Sequence, residues 1–212
     1  MTATGSPPAR TSRPSTAPPA AAGERAPAVA PYKAASVPPG RWTQDDFYDR
    51  GRDGDLGKTI DAVLAVEAPV HLSLLSRRVG AYFGVGRVTA RVIERVRELA
   101  DARARVGADG DPDVVWRRDQ DPTAWPTVRV PAQAPETRRD LDELPLAEIA
   151  AAALIVLHRN LGLPAADLHR ETAKLLGFAR QGEKVIARMA DAVAALVAKG
   201  LANVDGDRVT LV

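Results

Sequence analysis

Three groups of residues in this 212-residue chain have types and spacings that could act on a ligand: a Gly-Lys-Thr triplet, three histidines, and two sets of basic residues spaced by four. The triplet, Gly57-Lys58-Thr59, closes the string GRDGDLGKTI. A loop that cradles nucleotide phosphates reads G-x-x-x-x-G-K-[ST] and follows a buried strand. Five positions before Gly57 stands Arg52; Gly51 is one residue too far and Gly54 too near, and the polar string DDFYDR precedes them. The triplet therefore reads as the start of a helix, with Asp55 as its N-cap. His71, His158 and His169 have no partner at the spacing of a helical zinc site, and Ser73 and Ser76 lack the setting of a hydrolase nucleophile. The chain has no cysteine, which excludes a disulfide framework, thiolate zinc ligation and a cysteine nucleophile. No enzyme activity, metal or cofactor is expected.

The basic sets carry more information. Arg87, Arg91 and Arg95 line one face of a helix, offset from the apolar stripe Val88, Val92, Val96. Guanidinium groups suit both phosphates and the guanine edge. Arg180, Lys184 and Arg188 repeat the spacing more weakly. Glu94 and Glu98 interleave with the first set, and mixed charge usually marks a solvated helix face. Trp116 and Trp125 could stack on unpaired bases, although such residues more often pack a wing or a linker. The net charge of +2 is too small to decide the matter, so distribution matters more than sum.

The elements that must hold these side chains follow from the apolar pattern. Residues 1–41 are rich in Pro, Ala, Ser and Thr with few large apolar groups, so a disordered tail is expected there. From Trp42 the pattern changes. Ile60, Val63, Leu64 and Val66 suggest a first helix; Leu72, Leu75, Val79 and Phe83 a second; Val88, Val92, Val96 and Leu99 a third. Asp109-Gly110, between Val106 and Val114-Val115-Trp116, signals a hairpin. The same order returns after residue 143, with helices around Leu146–His158, Leu168–Leu176 and Val185–Leu196 and an Asp205-Gly206 turn. The halves align at an offset of 93, with Gly84, Arg87, Val92 and Arg95 falling on Gly177, Arg180, Val185 and Arg188. The expected fold is mainly α with small β-hairpins: tandem winged-helix-like (helix-turn-helix) repeats over 42–118 and 144–212, joined by a Pro-rich linker, 119–143, that Trp125 and Val128 pin down. In that fold the third helix of each repeat is the one that enters a groove of DNA. No run of 18 or more apolar residues and no compact secretory stretch occurs, so no membrane span and a cytoplasmic location are expected.

The strings VEAPVHLSLLSRRV, GVGRVTARVIERV, VVWRRDQDPTAWPTVRVP and KLLGFARQGEKVIARM resemble a bacterial domain family of unknown function. The resemblance runs from about Leu56 to the C-terminus. That domain usually forms the C-terminal end of large superfamily I DNA/RNA helicase-like proteins, often beside a nuclease-like segment. The resemblance implies an association with DNA or RNA processing, and it supplies no catalytic residues to carry over. The combined expectation is a non-catalytic accessory module of a helicase- or nuclease-type system, binding nucleic acid, DNA rather than RNA, through Arg87, Arg91, Arg95, Arg180, Lys184 and Arg188. The alternative is a protein-interaction module that docks a helicase-like partner without touching nucleic acid.

Overall fold

A computed structural model of the chain describes residues 26–37 and 40–212. About half of the described chain is helical, and its strands are short. The first half comprises β1 (Ala28–Pro31), the single turn α1 (Gln44–Tyr48), α2 (Asp53–Glu67), β2 (Val70–His71), α3 (Leu72–Tyr82), α4 (Ala90–Asp101), and the hairpin β3 (Arg105–Ala108) and β4 (Asp111–Trp116). After β5 (Thr127–Val130) come α5 (Leu146–Asn160), β6 (Leu163–Pro164), α6 (Ala165–Leu175), α7 (Glu183–Ala198), and the hairpin β7 (Ala202–Asp205) and β8 (Arg208–Leu211). Each hairpin gains a two-residue third strand, giving antiparallel sheets of order β2-β4-β3 and β6-β8-β7.

Local chemistry explains the boundaries. α2 starts two residues before the expected cap, so Asp55 lies within its first turn beside Asp53, where negative charge meets the positive helix end. It stops at Ala68 (ψ 139°) because Pro69 disfavours helical backbone at the residue before it. Nδ1 of His71 accepts from the Ser73 amide at 3.2 Å and caps α3, and Thr89 caps α4. Asp109 (φ 54°) and Gly110 (φ 78°) supply the two left-handed residues of a type I′ hairpin turn. The second turn falls on Gly206 and Asp207, one residue later than expected, with Gly206 at φ 59°.

The spacing of the halves is regular. α2 and α5 begin and end 93 residues apart, as do α3 and α6, and the starts of α4 and α7 keep that interval. At the hairpins it becomes 97, Arg105 against Ala202, because α7 has 16 residues and α4 has 12, one turn fewer. Each half has its own core: Phe47, Ile60, Leu75, Phe83 and Val96 in the first, Ile149, Leu157, Leu168, Met189 and Leu196 in the second. A small third cluster of Val114, Trp116 and Ala147, with Trp125 against it, joins them.

The N-terminal expectation needs correction. Residues 26–37 are part of the fold. β1 runs parallel to β5, pairing Ala28 with Thr127 through Pro31 with Val130, and the Tyr32 amide donates to the Val130 carbonyl at 2.8 Å. Tyr32 is buried and its hydroxyl donates to the buried Glu67 carboxylate. Composition hid this because a strand needs only backbone partners and one anchoring side chain, which a count of apolar residues does not register. The expectation for residues 1–25 lies outside the described residues. The Pro-rich linker contributes β5, and Val128 is fully buried against the second core. Among the described residues no helix is long and apolar enough to cross a membrane.

Candidate nucleic-acid interface

The six basic residues do not form one face. Arg87, in the loop before α4, and Arg91, in its first turn, are exposed and have no hydrogen-bond or ion-pair partner among the described residues. Arg91 lies 4.2 Å above the Tyr48 ring. Arg95 is 6 % exposed: it turns inward to the Asp53 carboxylate and lies 3.7 Å from Glu98. Contrary to the expectation from its spacing, the Arg95 guanidinium is buried and paired and is not presented to a ligand. A guanidinium four residues on from Arg91 has rotated about 40° around the helix, far enough here to meet the N-terminus of α2. Arg180 is exposed and without such a partner among the described residues. Lys184 pairs with Asp142. Arg188 binds Asp111 of the first hairpin at 3.0 Å and the Leu144 carbonyl at 3.3 Å, so it works between the halves.

Asp111 also accepts from the Leu146 amide at 2.7 Å. It thereby caps α5, whose own N-cap residue, Pro145, offers no side-chain acceptor. Asp109, at the tip of the same hairpin, holds Lys199 at 2.6 Å. The hairpin of the first half is thus clamped by the second half.

The densest polar cluster was not legible in the sequence. Glu148 of α5 is fully buried and accepts from the Arg129 amide (2.7 Å), Arg129 Nη2 (2.6 Å), and Arg139 Nη1 and Nη2 (2.8 and 2.7 Å). Arg129 also donates to the Glu67 and Pro69 carbonyls, both at 2.7 Å, and Arg139 lies 4.1 Å above the Tyr32 ring. The Glu67 carboxylate accepts from Tyr32, from the Ala35 amide (2.8 Å) and from Arg78 Nε (3.0 Å). Burial alone would raise the Glu148 pKa, but Arg129 and Arg139 together outweigh it and hold the carboxyl below its usual range. Burial, reinforced by the Glu67 charge, raises the Tyr32 hydroxyl. This cluster is a clasp joining α2, the linker, β1 and α5. It is saturated by protein donors and offers nothing to a ligand.

Gly57 is buried inside α2, and the Arg103 guanidinium covers it so closely that a Cβ there would clash with it. Lys58 points into solvent, 83 % exposed. No phosphate cradle exists at this triplet. Among the described residues no group of three His, Asp or Glu side chains is placed to hold a metal. Burial lowers the His71 pKa, against an opposite pull from Asp113, Asp111, Glu143 and Asp142. Trp116 is buried and meets the half-buried Trp125 edge to face at 5.6 Å, so this pair packs the seam. An apolar cavity of about 830 Å³ lies beside it, lined by Trp125, Ala147, Ala151, Leu154, His158 and Leu196.

The first half, where Arg87 and Arg91 sit, is also where the chain is similar to a known family. Residues 45–94 match a family model described as a protein of unknown function (DUF3320). The matched segment runs from α1 into the middle of α4 and contains both arginines. It marks a domain of unknown function and assigns no activity. No curated protein and no solved structure matches the chain.

Proposed function

We propose that this chain is a non-catalytic accessory module, winged-helix-like in each half, that contacts nucleic acid through Arg87, Arg91 and Arg180. One observation carries the reading: on and beside α4, Arg95 and Arg97 are each held by an aspartate, while Arg87 and Arg91 at its N-terminal end stand exposed with no ionic partner among the described residues. Guanidiniums at a helix start suit phosphate oxygens, because charge-assisted hydrogen bonds and the helix dipole act together. Such contacts supply affinity with little sequence preference. The resemblance to a domain of helicase-like proteins favours nucleic-acid processing as the setting, with a cytoplasmic location and DNA as the ligand.

The test is binding of labelled DNA at two salt concentrations. The triple variant Arg87→Ala/Arg91→Ala/Arg180→Ala should bind more weakly and reduce the salt slope by about one unit per lost phosphate contact. Binding that ignores both salt and the triple variant would refute the reading. The rival, a module that docks a helicase-like protein, is favoured by the apolar cavity beside the Trp116–Trp125 seam. It predicts no DNA binding at low salt and binding of a helicase-like protein that is lost on Leu154→Arg.

A further inference from the structure

Five of the nine aromatic residues gather at the end of the molecule that carries Arg87 and Arg91. Trp42 stacks on Phe83 (5.9 Å, 21° between planes), Phe83 meets Phe47 at 6.0 Å, Phe47 meets Tyr48 at 5.1 Å, and Tyr82 lies against Phe83 at 5.2 Å. Phe47 and Phe83 are the buried floor, and Trp42 and Tyr48 are the half-buried rim. Each rim ring has an arginine over it: Arg52 at 4.4 Å above Trp42 and Arg91 at 4.2 Å above Tyr48. At this separation the ring and the guanidinium attract through the ring quadrupole. Nε of Arg52 is buried with no hydrogen-bond partner among the described residues, so the ring, not a hydrogen bond, sets the position of this end of the group. The side chain of Arg52 remains 40 % exposed, and Arg91 is exposed. The exposed Arg87 follows Gly86 in the loop that leads into α4.

We infer that Trp42–Arg52 and Tyr48–Arg91 form a paired stacking platform for unpaired bases, so that the nucleic acid this module takes is single-stranded. The inference rests on the nucleic-acid reading above and names the form of its ligand. A guanidinium over an aromatic ring that keeps part of its surface in solvent, as Arg52 and Arg91 do, can take a base on its open side, since every base has a π-face. A duplex keeps its bases stacked within itself and gains nothing from such a platform. The local charge leaves room for a stacking term beside the phosphate contacts. The segments that build the patch carry Arg41, Arg50, Arg52, Arg87 and Arg91 together with Asp45, Asp46, Asp49, Asp53 and Asp55. Asp46 is committed to the Thr43 cap, Asp49 to the Gly51 amide, and Asp53 to Arg95. The patch is nearly neutral in sum, which is a poor magnet for a duplex but no obstacle to base stacking.

Lysine substitution separates the two contributions, since Lys keeps the charge and loses the plane. Full-length protein, Arg52→Lys/Arg91→Lys, and Arg52→Ala/Arg91→Ala are titrated with a labelled thymidine-rich single strand and with a duplex of equal length. Thermal melts establish that each variant is folded. The double Lys variant should bind the single strand about tenfold more weakly, a clearly larger loss than the one it shows on the duplex. Addition of single strand should also quench tryptophan emission in the parent protein, and Trp42→Phe should remove that quenching while the buried Trp116 continues to emit. Single-strand binding equal in the parent and the double Lys variant, with loss only in the double Ala variant, would overturn the platform and leave a phosphate-binding module. Absence of binding to either nucleic acid would overturn the functional reading and the platform with it.

Discussion

The two halves share one spacing and differ in what they do with it. Eight of the nine aromatic residues precede residue 130, and only Phe178 belongs to the second half. The first core is therefore built on rings, and the second on the alanines and aliphatic residues of α5 and α7. The corresponding third helices also diverge. Around the outside of α4 run Arg91, Glu94, Arg97 and Asp101; at the matching positions of α7 stand Lys184, Ala187, Ala190 and Ala194. The basic residues that α7 does carry are drawn away, Arg188 to the first hairpin and Lys184 to Asp142. α4 leaves Arg91 open to solvent, whereas both basic residues of α7 are paired. A repeated pattern of residue types thus carries no repeated function unless the neighbours of each position also repeat.

This contrast can be broken at its strongest point first. Glu148→Ala leaves the buried Arg129 and Arg139 uncompensated, and should cost about 3–5 kcal/mol in urea unfolding; a loss below about 1 kcal/mol would show that the clasp does not join the halves. Next, Arg188→Ala/Lys199→Ala should cost about 1–2 kcal/mol and raise amide exchange in the first hairpin, because both pairs are mostly covered. The matching change Arg97→Ala, which removes a more exposed pair, should cost no more than about 0.5 kcal/mol.

Each half carries a histidine whose pKa burial lowers, but only the first uses one as a helix cap. His71 caps α3, and its counterpart at the start of α6 is Pro164. Since burial depresses the folded pKa of His71 below the unfolded value of about 6.5, its neutral-state contribution is present above the unfolded value and is lost as pH falls from there through the lower folded value. Urea midpoints should therefore decline between about pH 7.5 and 5.5, and His71→Asn, which keeps an acceptor at the cap, should flatten the decline to the share of His169, also lowered by burial. The smallest effect concerns how the paired helices α2 and α5 end. α2 stops at Ala68-Pro69, whereas α5 runs into Leu161, 84 % exposed and at φ 56°. Leu161→Gly should stabilise the chain by about 0.5–1 kcal/mol, since the left-handed backbone strains leucine and no buried surface is lost.

Helix periodicity and turn chemistry made most of the fold legible, because α2 to α4 and α5 to α7 bury regular stripes and Asp109-Gly110 fits only a tight hairpin. The interval of 93 was visible for the same reason. What stayed hidden was every feature that depends on a distant partner. Arg129, Arg139 and Glu148 are ordinary charged residues in sequence, and only the fold brings them together across the linker. Arg95 has the spacing of a surface arginine and the location of a buried one, because spacing along a helix does not say what lies beside each face. The aromatic patch was illegible because its rings come from two segments far apart in sequence, residues 42–48 and Tyr82–Phe83.

Arg129 reaches the Glu67 and Pro69 carbonyls on one side and Glu148 on the other, within a segment whose proline content suggests a loose tether. A tether would let the halves move like beads on a string. With its charge shared between them, this segment is a strut, and the basic end of α4 stands at one fixed separation from Arg180. Under the proposed reading, a strand that engaged both would have to match that gauge, and the interior of the protein, not its surface, would set it.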